Sequence, residues 1–505
     1  HPVSMLPLPS DGVVAVADHM VTDEWRMRMS GQGTRALLLV LSGLCLAGGV
    51  AWADTFSVTS SELTGPGSLL AAVESANSTP GHDTIDMAAD LRIDLTTDDP
   101  DPFGVVRVTE SVTIEGNGAT VYSDPAWINT AGDLNPIGNG VRCPSDPPTI
   151  VASLAMPFLR IGTRDGDNAD VAVTVRNLNA VAINNFAIGE DDSSLTLDGV
   201  HVERIRAISP CDRGFIEGNF KDLVIRNTTM EDGYAFRDVA YLSDSYYVYA
   251  GCIAGSGNLV MENVSLVRNM AAGAILWNGG DAKIVSCRFV DSGGIQVSDT
   301  KAVIVNSAFS FGSLGDPWNA IVAGPDGEID LMASTVHIVF HGDPPEAEGQ
   351  PLLAWGGVIR LHESAVYGGA TESVAGGPLP GRAYYATEGG TLEADDYSWV
   401  SPVDDQDAVA LRELFGNASL RTGSAGLPSG LETVYPQSIT PIVSGDLIDV
   451  IDDAGVGGVN EQKSPIDGQP ILLDVLGNPR VDGNGRRNIG AVQLTLAPHL
   501  HLDGT

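Results

Sequence analysis

Leu195-Thr-Leu-Asp-Gly-Val-His-Val202 and Leu223-Val-Ile-Arg-Asn-Thr-Thr-Met230 are two copies of one eight-residue phrase. The phrase reads apolar, any, apolar, any, any, small or apolar, any, apolar. Val173-Thr-Val-Arg-Asn-Leu-Asn-Ala180 precedes these copies and Leu259-Val-Met-Glu-Asn-Val-Ser-Leu266 follows them. Ala282-Lys-Ile-Val-Ser-Cys-Arg-Phe289, Ala302-Val-Ile-Val-Asn-Ser-Ala-Phe309, Ile329-Asp-Leu-Met-Ala-Ser-Thr-Val336 and Ile359-Arg-Leu-His-Glu-Ser-Ala-Val366 complete the set. Successive copies start 20 to 36 residues apart, a spacing that marks solenoids and propellers.

Each phrase holds two pairs of alternating apolar positions, and alternation means strand. One extra residue separates the pairs, often Asn, Gly or Ser. Asn and Gly tolerate left-handed backbone, so the chain turns a corner there and the second pair points inward again. One phrase is therefore two short strands meeting at a corner. One coil per repeat stacks phrase on phrase at ~4.8 Å and buries the apolar columns. Leucine-rich repeats need an L-x-x-L-x-L-x-x-N phrase that is absent, and propeller blades need about forty residues and four strands. The fold expected is all-β: a right-handed parallel β-helix, a pectin-lyase-like solenoid.

A solenoid exposes its apolar column at both ends and needs caps. Gly67-Ser-Leu-Leu-Ala-Ala-Val-Glu-Ser-Ala-Asn77 reads as a short N-terminal capping helix. Ser68 is its N-cap, and Leu69, Ala72, Val73 and Ala76 share its apolar face. Thr84 to Met87, Val106 to Val108 and Val112 to Asn117 supply the opening strands.

Upstream, Arg26, Arg28 and Arg35 precede an apolar run from Ala36 to Val50, followed by Ala51-Trp52-Ala53 and Asp54. A basic region, a short apolar core and an A-x-A site make a signal peptide, cleaved before Asp54. The run is too short for a span of ~20 residues, and Leu44 before Cys45 argues against a lipoprotein site. Residues 1–26 read as an upstream extension foreign to the native chain, and 27–53 as the signal peptide. Residues 54–170 form the cap and first coils, 171–370 the regular coils, and 371–505 the last coils and closing region. The mature chain is expected outside the cytoplasm, extracellular or on a cell surface, with no transmembrane span.

The formal net charge is -38, from 27 basic and 65 acidic residues. Such a surface repels phosphates and anionic lipid head groups, so no nucleic-acid partner is expected. Four cysteines remain after Cys45: Cys143, Cys211, Cys252 and Cys287. Cys287 falls at an inward phrase position and reads as a buried apolar residue. The other three leave one bridge open, in any pairing.

Thr55-Phe-Ser-Val-Thr59, Gly65-Pro-Gly-Ser-Leu69, Ala76-Asn77 and Gly81-His-Asp-Thr-Ile85 resemble the opening motif of bacterial secreted right-handed β-helix proteins. Asp474-Val-Leu-Gly-Asn-Pro-Arg480 and Asn488-Ile-Gly-Ala-Val-Gln493 resemble the closing motif of the choice-of-anchor Q type. Asn488 and Gln493 depart from that type, which usually has Asp and Glu there. The resemblance implies a fold and a compartment, and no reaction.

Sites on such a solenoid lie on outward strand positions and long connections. The longest connection carries Tyr241, Tyr246, Tyr247 and Tyr249, the candidate carbohydrate-binding residues, with Glu231 and Asp232 at its start. Asp191, Asp192, His201, Arg204 and Arg206 form a second mixed patch, which reads as a solvated outer face. Asp165, Asp167 and Asp170 alternate as Ca²⁺ ligands do, without the full EF-hand pattern. Ca²⁺ is the sole ion candidate, since the histidines show no zinc spacing. No nucleophile elbow or phosphate loop stands in a suitable context, so no catalytic residue is assigned. The expected function is glycan or surface binding, or a structural role. The alternative is a polysaccharide lyase or glycoside hydrolase, whose paired carboxylates must face one groove.

Overall fold

The computed structural model describes residues 53–95, 105–123, 157–162, 170–183, 185–207, 214–235, 251–269, 273–290, 292–311, 319–338, 350–367, 371–372, 378–379, 384–401, 407–422, 451–452, 463–475 and 486–487. Within them the chain winds as a right-handed parallel β-helix. A 17-stranded and a 12-stranded sheet run the length of the solenoid, and every pairing inside them is parallel.

The eight phrases stack in register as the sequence predicts. Val173 pairs with Leu195, Leu195 with Leu223, and so on through Leu259, Ala282, Ala302, Ile329 and Ile359 to Leu392. The closing pair of each phrase forms the second sheet, with Ala180, Val202, Met230, Leu266, Phe289, Phe309, Val336 and Val366 in one inward column. All are buried. Like residues stack on like: the rings of Phe289 and Phe309 lie 4.5 Å apart and nearly parallel.

The corner is left-handed at the fifth phrase position. Asn177, Asn227, Asn263 and Asn306 have φ of 49°, 48°, 54° and 51°. Ser286, Ala333 and Glu363 adopt the same conformation at φ 54°, 45° and 51°. Some corner side chains also bridge coils: Asn227 Nδ2 donates to Asp198 Oδ1 at 2.8 Å, and Asn263 Nδ2 to Asn227 Oδ1 at 2.9 Å. One position on, Ser307, Ser334 and Ser364 form a buried ladder that Ser398 continues on the next coil. Their hydroxyls accept from the backbone N–H of Cys287, Ser307, Ser334 and Ser364 at 3.1 to 3.2 Å. Each corner N–H, bent out of the sheet, is thus satisfied by the next coil.

A third strand segment precedes each phrase and was not legible in the repeat. Leu159, Ala187, Ile216, Ile253, Ile275, Ile295, Ile321 and Leu352 form its inward column. It runs into the phrase through bulges, as between Gly189 and Ser193 or Asn219 and Asp222.

The predicted capping helix spans Leu69–Ser78 and packs on Thr55–Val58, Asp83–Met87 and Val106–Val108. Ser68 Oγ accepts from Ala71 N–H at 3.3 Å, and Leu69, Ala72, Val73 and Ala76 are its buried residues. A second helix, Ala408–Leu414, interrupts the last described coil and sends Leu411 into the core. It is N-capped by Asp407. Beside it Phe415 meets the edge of Tyr384 at 6.0 Å.

Candidate functional site

Outward positions of the strands carry charge, and neighbouring coils pair those charges. Glu115, Arg176, Asp198, Arg226 and Glu262 follow one another across five coils, alternating in sign. Arg176 reaches Glu115 at 2.9 Å and Arg226 reaches Glu262 at 3.2 Å. Directly opposed charges of opposite sign favour this register. Farther along, Arg360 contacts Glu328 at 3.0 Å, Asp330 at 3.3 Å and Glu393 at 3.2 Å. The hydrogen bond from Arg360, and then its charge, hold the Glu328 carboxyl below its ordinary range.

Parts of the two expected patches converge. Glu231 and Asp232, at the start of the tyrosine-bearing connection, clamp Arg268 from the next coil. Asp232 takes Nε and Nη2 at 2.6 and 3.0 Å, and Glu231 takes Nη2 at 3.2 Å. His201 Nε2 lies 3.5 Å from the other Glu231 oxygen, Oε1. Arg204 instead pairs with its neighbour Glu203 at 2.8 Å. The hydrogen bond to Asp232 is the main cause that holds the Arg268 guanidinium above its ordinary range. Tyr241, Tyr246, Tyr247 and Tyr249 lie outside the described residues.

Asp165 and Asp167 also lie outside them. Asp170 is described, and there it bonds Lys221 Nζ at 2.6 Å. That hydrogen bond, then the charge of Asp170, raise the Lys221 ammonium above its ordinary range. Among the described residues no group of three acidic, His or Cys side chains is arranged to hold a metal ion. Cys252 and Cys287 are free and buried, so the open bridge does not involve Cys252; Cys143 and Cys211 lie outside the described residues. Burial pushes the Cys287 thiol up to about 12 and the Cys252 thiol higher still.

The sequence reading missed a pair of exposed aromatics on the third face. Gln350–Trp355 pairs with Tyr385–Thr387, matching Leu353 to Tyr385 and Trp355 to Thr387. Leu352 and Ala354 point inward and are buried, so Leu353 and Trp355 point outward. Trp355 and Tyr385 are 41% and 44% exposed, the only large aromatic side chains so open among the described residues. They occupy diagonal positions on adjoining strands, ~7–8 Å apart by sheet geometry. Two outward aromatic side chains on adjoining strands present apolar surface with polar tips on one face, referred to below as the platform. No run of alternation marks the platform, because Trp355 and Tyr385 lie in different coils and outside the phrase.

The fold places the chain in the class of right-handed parallel β-helix proteins. Compared with known proteins, it matches no family model, no curated protein and no solved structure. No helix among the described residues is long and apolar enough to cross a membrane.

Proposed function

We propose that this chain is an exported bacterial β-helix protein of the choice-of-anchor Q type. It acts outside the cell or at its surface, and it binds a glycan without turning it over. The observation that carries the binding reading is the Trp355–Tyr385 platform. Exposed aromatics cost solubility, and a paired set on a rigid face is the geometry that stacks on sugar rings. The export reading rests on the basic, apolar and A-x-A pattern ending at Ala53. The family reading rests on the opening and closing motifs. Asp474 of the closing motif is 4% exposed, and Leu473 beside it accepts a hydrogen bond from Asn306 at 3.0 Å.

The non-enzymatic reading is supported by how the outward charges are used. A general acid needs a carboxyl held high. Glu328 is instead held low, and Arg268 and Arg360 spend the carboxylates around them on coil-to-coil ion pairs. The test is a glycan-array and polysaccharide-degradation screen on the chain from Asp54 onward, with and without Ca²⁺. Binding without turnover is expected, and Trp355→Ala and Tyr385→Ala each weaken it roughly tenfold, about 1.4 kcal/mol. New reducing ends or unsaturated-uronate absorbance would overturn the reading in favour of a lyase or hydrolase.

A further inference from the structure

Asp83 stands at the start of the strand Asp83–Met87 and is completely buried. Its Oδ1 accepts the backbone N–H of Asp54 at 2.8 Å. Its Oδ2 is buried and has no hydrogen-bond partner. Among the described residues no Lys, Arg or His forms an ion pair with it. The carbonyl of Asp54 is held in turn by Thr84 N–H at 2.8 Å, and Asp83 N–H is held by the Ser111 carbonyl at 3.2 Å. The Asp54 nitrogen is therefore fixed against a buried carboxylate that it half satisfies. Such a carboxylate is costly unless it is paired and fully hydrogen-bonded.

Asp54 is also the residue that follows Ala51-Trp52-Ala53. We infer that cleavage of the Ala53–Asp54 bond creates the missing partner: the new α-ammonium of Asp54 forms a buried ion pair with Asp83. The inference rests on the export reading above. A signal peptidase adds water across the amide, leaving a carboxyl on Ala53 and an amine on Asp54, which takes up a proton. In the precursor the nitrogen is a neutral amide with one hydrogen. In the cleaved chain it carries a positive charge and three hydrogens, enough for Oδ1 and Oδ2 together. The pair locks Thr55–Val58 onto Asp83–Met87, which pair in parallel beneath the capping helix. Processing thereby completes the N-terminal end of the solenoid.

The test has two parts. First, the full chain is produced with its own leader in a bacterial host, and the exported product is sequenced from its N-terminus. A product beginning with Asp54 is expected. Retention inside the cell would overturn the export reading, and a different first residue would overturn the cleavage assignment. Second, the chain beginning at Asp54 is compared with one carrying an extra Ala before Asp54, each with and without Asp83→Asn. Amide hydrogen exchange over Thr55 to Met87 is the readout. In the chain beginning at Asp54, Asp83→Asn speeds exchange by about tenfold or more, because a charge loses its partner. In the extended chain the same substitution leaves exchange unchanged or slows it, because it removes an unpaired buried charge. The same response in both chains would overturn the ion pair even where Asp54 is the mature N-terminus.

Discussion

Trp277 donates its indole N–H to the carbonyl of Gly257, one coil back, at 2.8 Å. The side chain is buried and lies over Gly255, its partner in the parallel pairing. Gly189, Gly218 and Gly255 stack in one inward column, and Trp277 follows them on the next coil. The glycines make room for large rings. A Cβ at Gly189 would stand 2.2 Å from the Phe220 ring, and one at Gly255 would stand 3.2 Å from Trp277 and 2.1 Å from the Gly218 carbonyl oxygen. Trp277→Phe is therefore expected to destabilise the chain by about 1–2 kcal/mol through the lost donor. Gly255→Ala costs about 1–3 kcal/mol through overpacking. Chemical denaturation, followed by the shift in midpoint, measures both.

The serine ladder makes a second prediction. Ser334 Oγ accepts from Ser307 N–H at 3.2 Å and donates to the Met332 carbonyl at 3.0 Å, all at a buried corner. Ser334→Ala leaves the Ser307 N–H with no acceptor and costs about 1–3 kcal/mol. Exchange of the Ser307 amide should rise more than that of amides elsewhere in the coil. A uniform rise would assign the loss to packing instead.

Arg360 joins carboxylates from the coils on either side of its own, so Arg360→Gln should loosen the solenoid near residues 328 to 393. The groups are partly exposed, which limits the loss to about 1 kcal/mol at low salt and less as salt rises. The pH dependence has a definite sign. A carboxyl held low in the folded state stabilises above its unfolded pKa, and that contribution disappears as pH falls through the folded value. Acid melts of the native chain should therefore lose stability below about pH 4.3 more steeply than melts of Arg360→Gln.

Cys252 and Cys287 predict chemical inertness. Both thiols are fully buried and held far above their ordinary pKa. Iodoacetamide at pH 8 should leave both unmodified in the folded chain and alkylate both after denaturation, as peptide mapping reports. Alkylation of Cys252 in the folded chain would show that its coil opens readily.

How much was legible follows from what repeats. The phrase could be read because two of the three strand segments keep a constant separation around a one-residue corner. The third precedes it by a varying number of residues: Ile253 by six from Leu259, Ile216 by seven from Leu223, Ala187 by eight from Leu195 and Leu159 by fourteen from Val173. The bulge between them varies in length, so no fixed period survives and the inward Ile column looks like connection. The capping helix was legible because Ser68 and four apolar positions share one turn pattern. The helix at Ala408–Leu414 carries the same kind of cap in Asp407, but only Leu411 on it is buried, too faint an apolar stripe to find.

The sequence by itself determined the solenoid, its corners and its capping helix, because strand alternation, left-handed tolerance and N-capping act between near neighbours in the chain. Only the tertiary structure decided which distant residues meet. It set Trp355 beside Tyr385, Arg268 against Glu231 and Asp232, and Asp83 under the nitrogen of Asp54. Those encounters depend on how many residues each coil spends before returning to the sheet, and a variable connection hides that number from any local pattern.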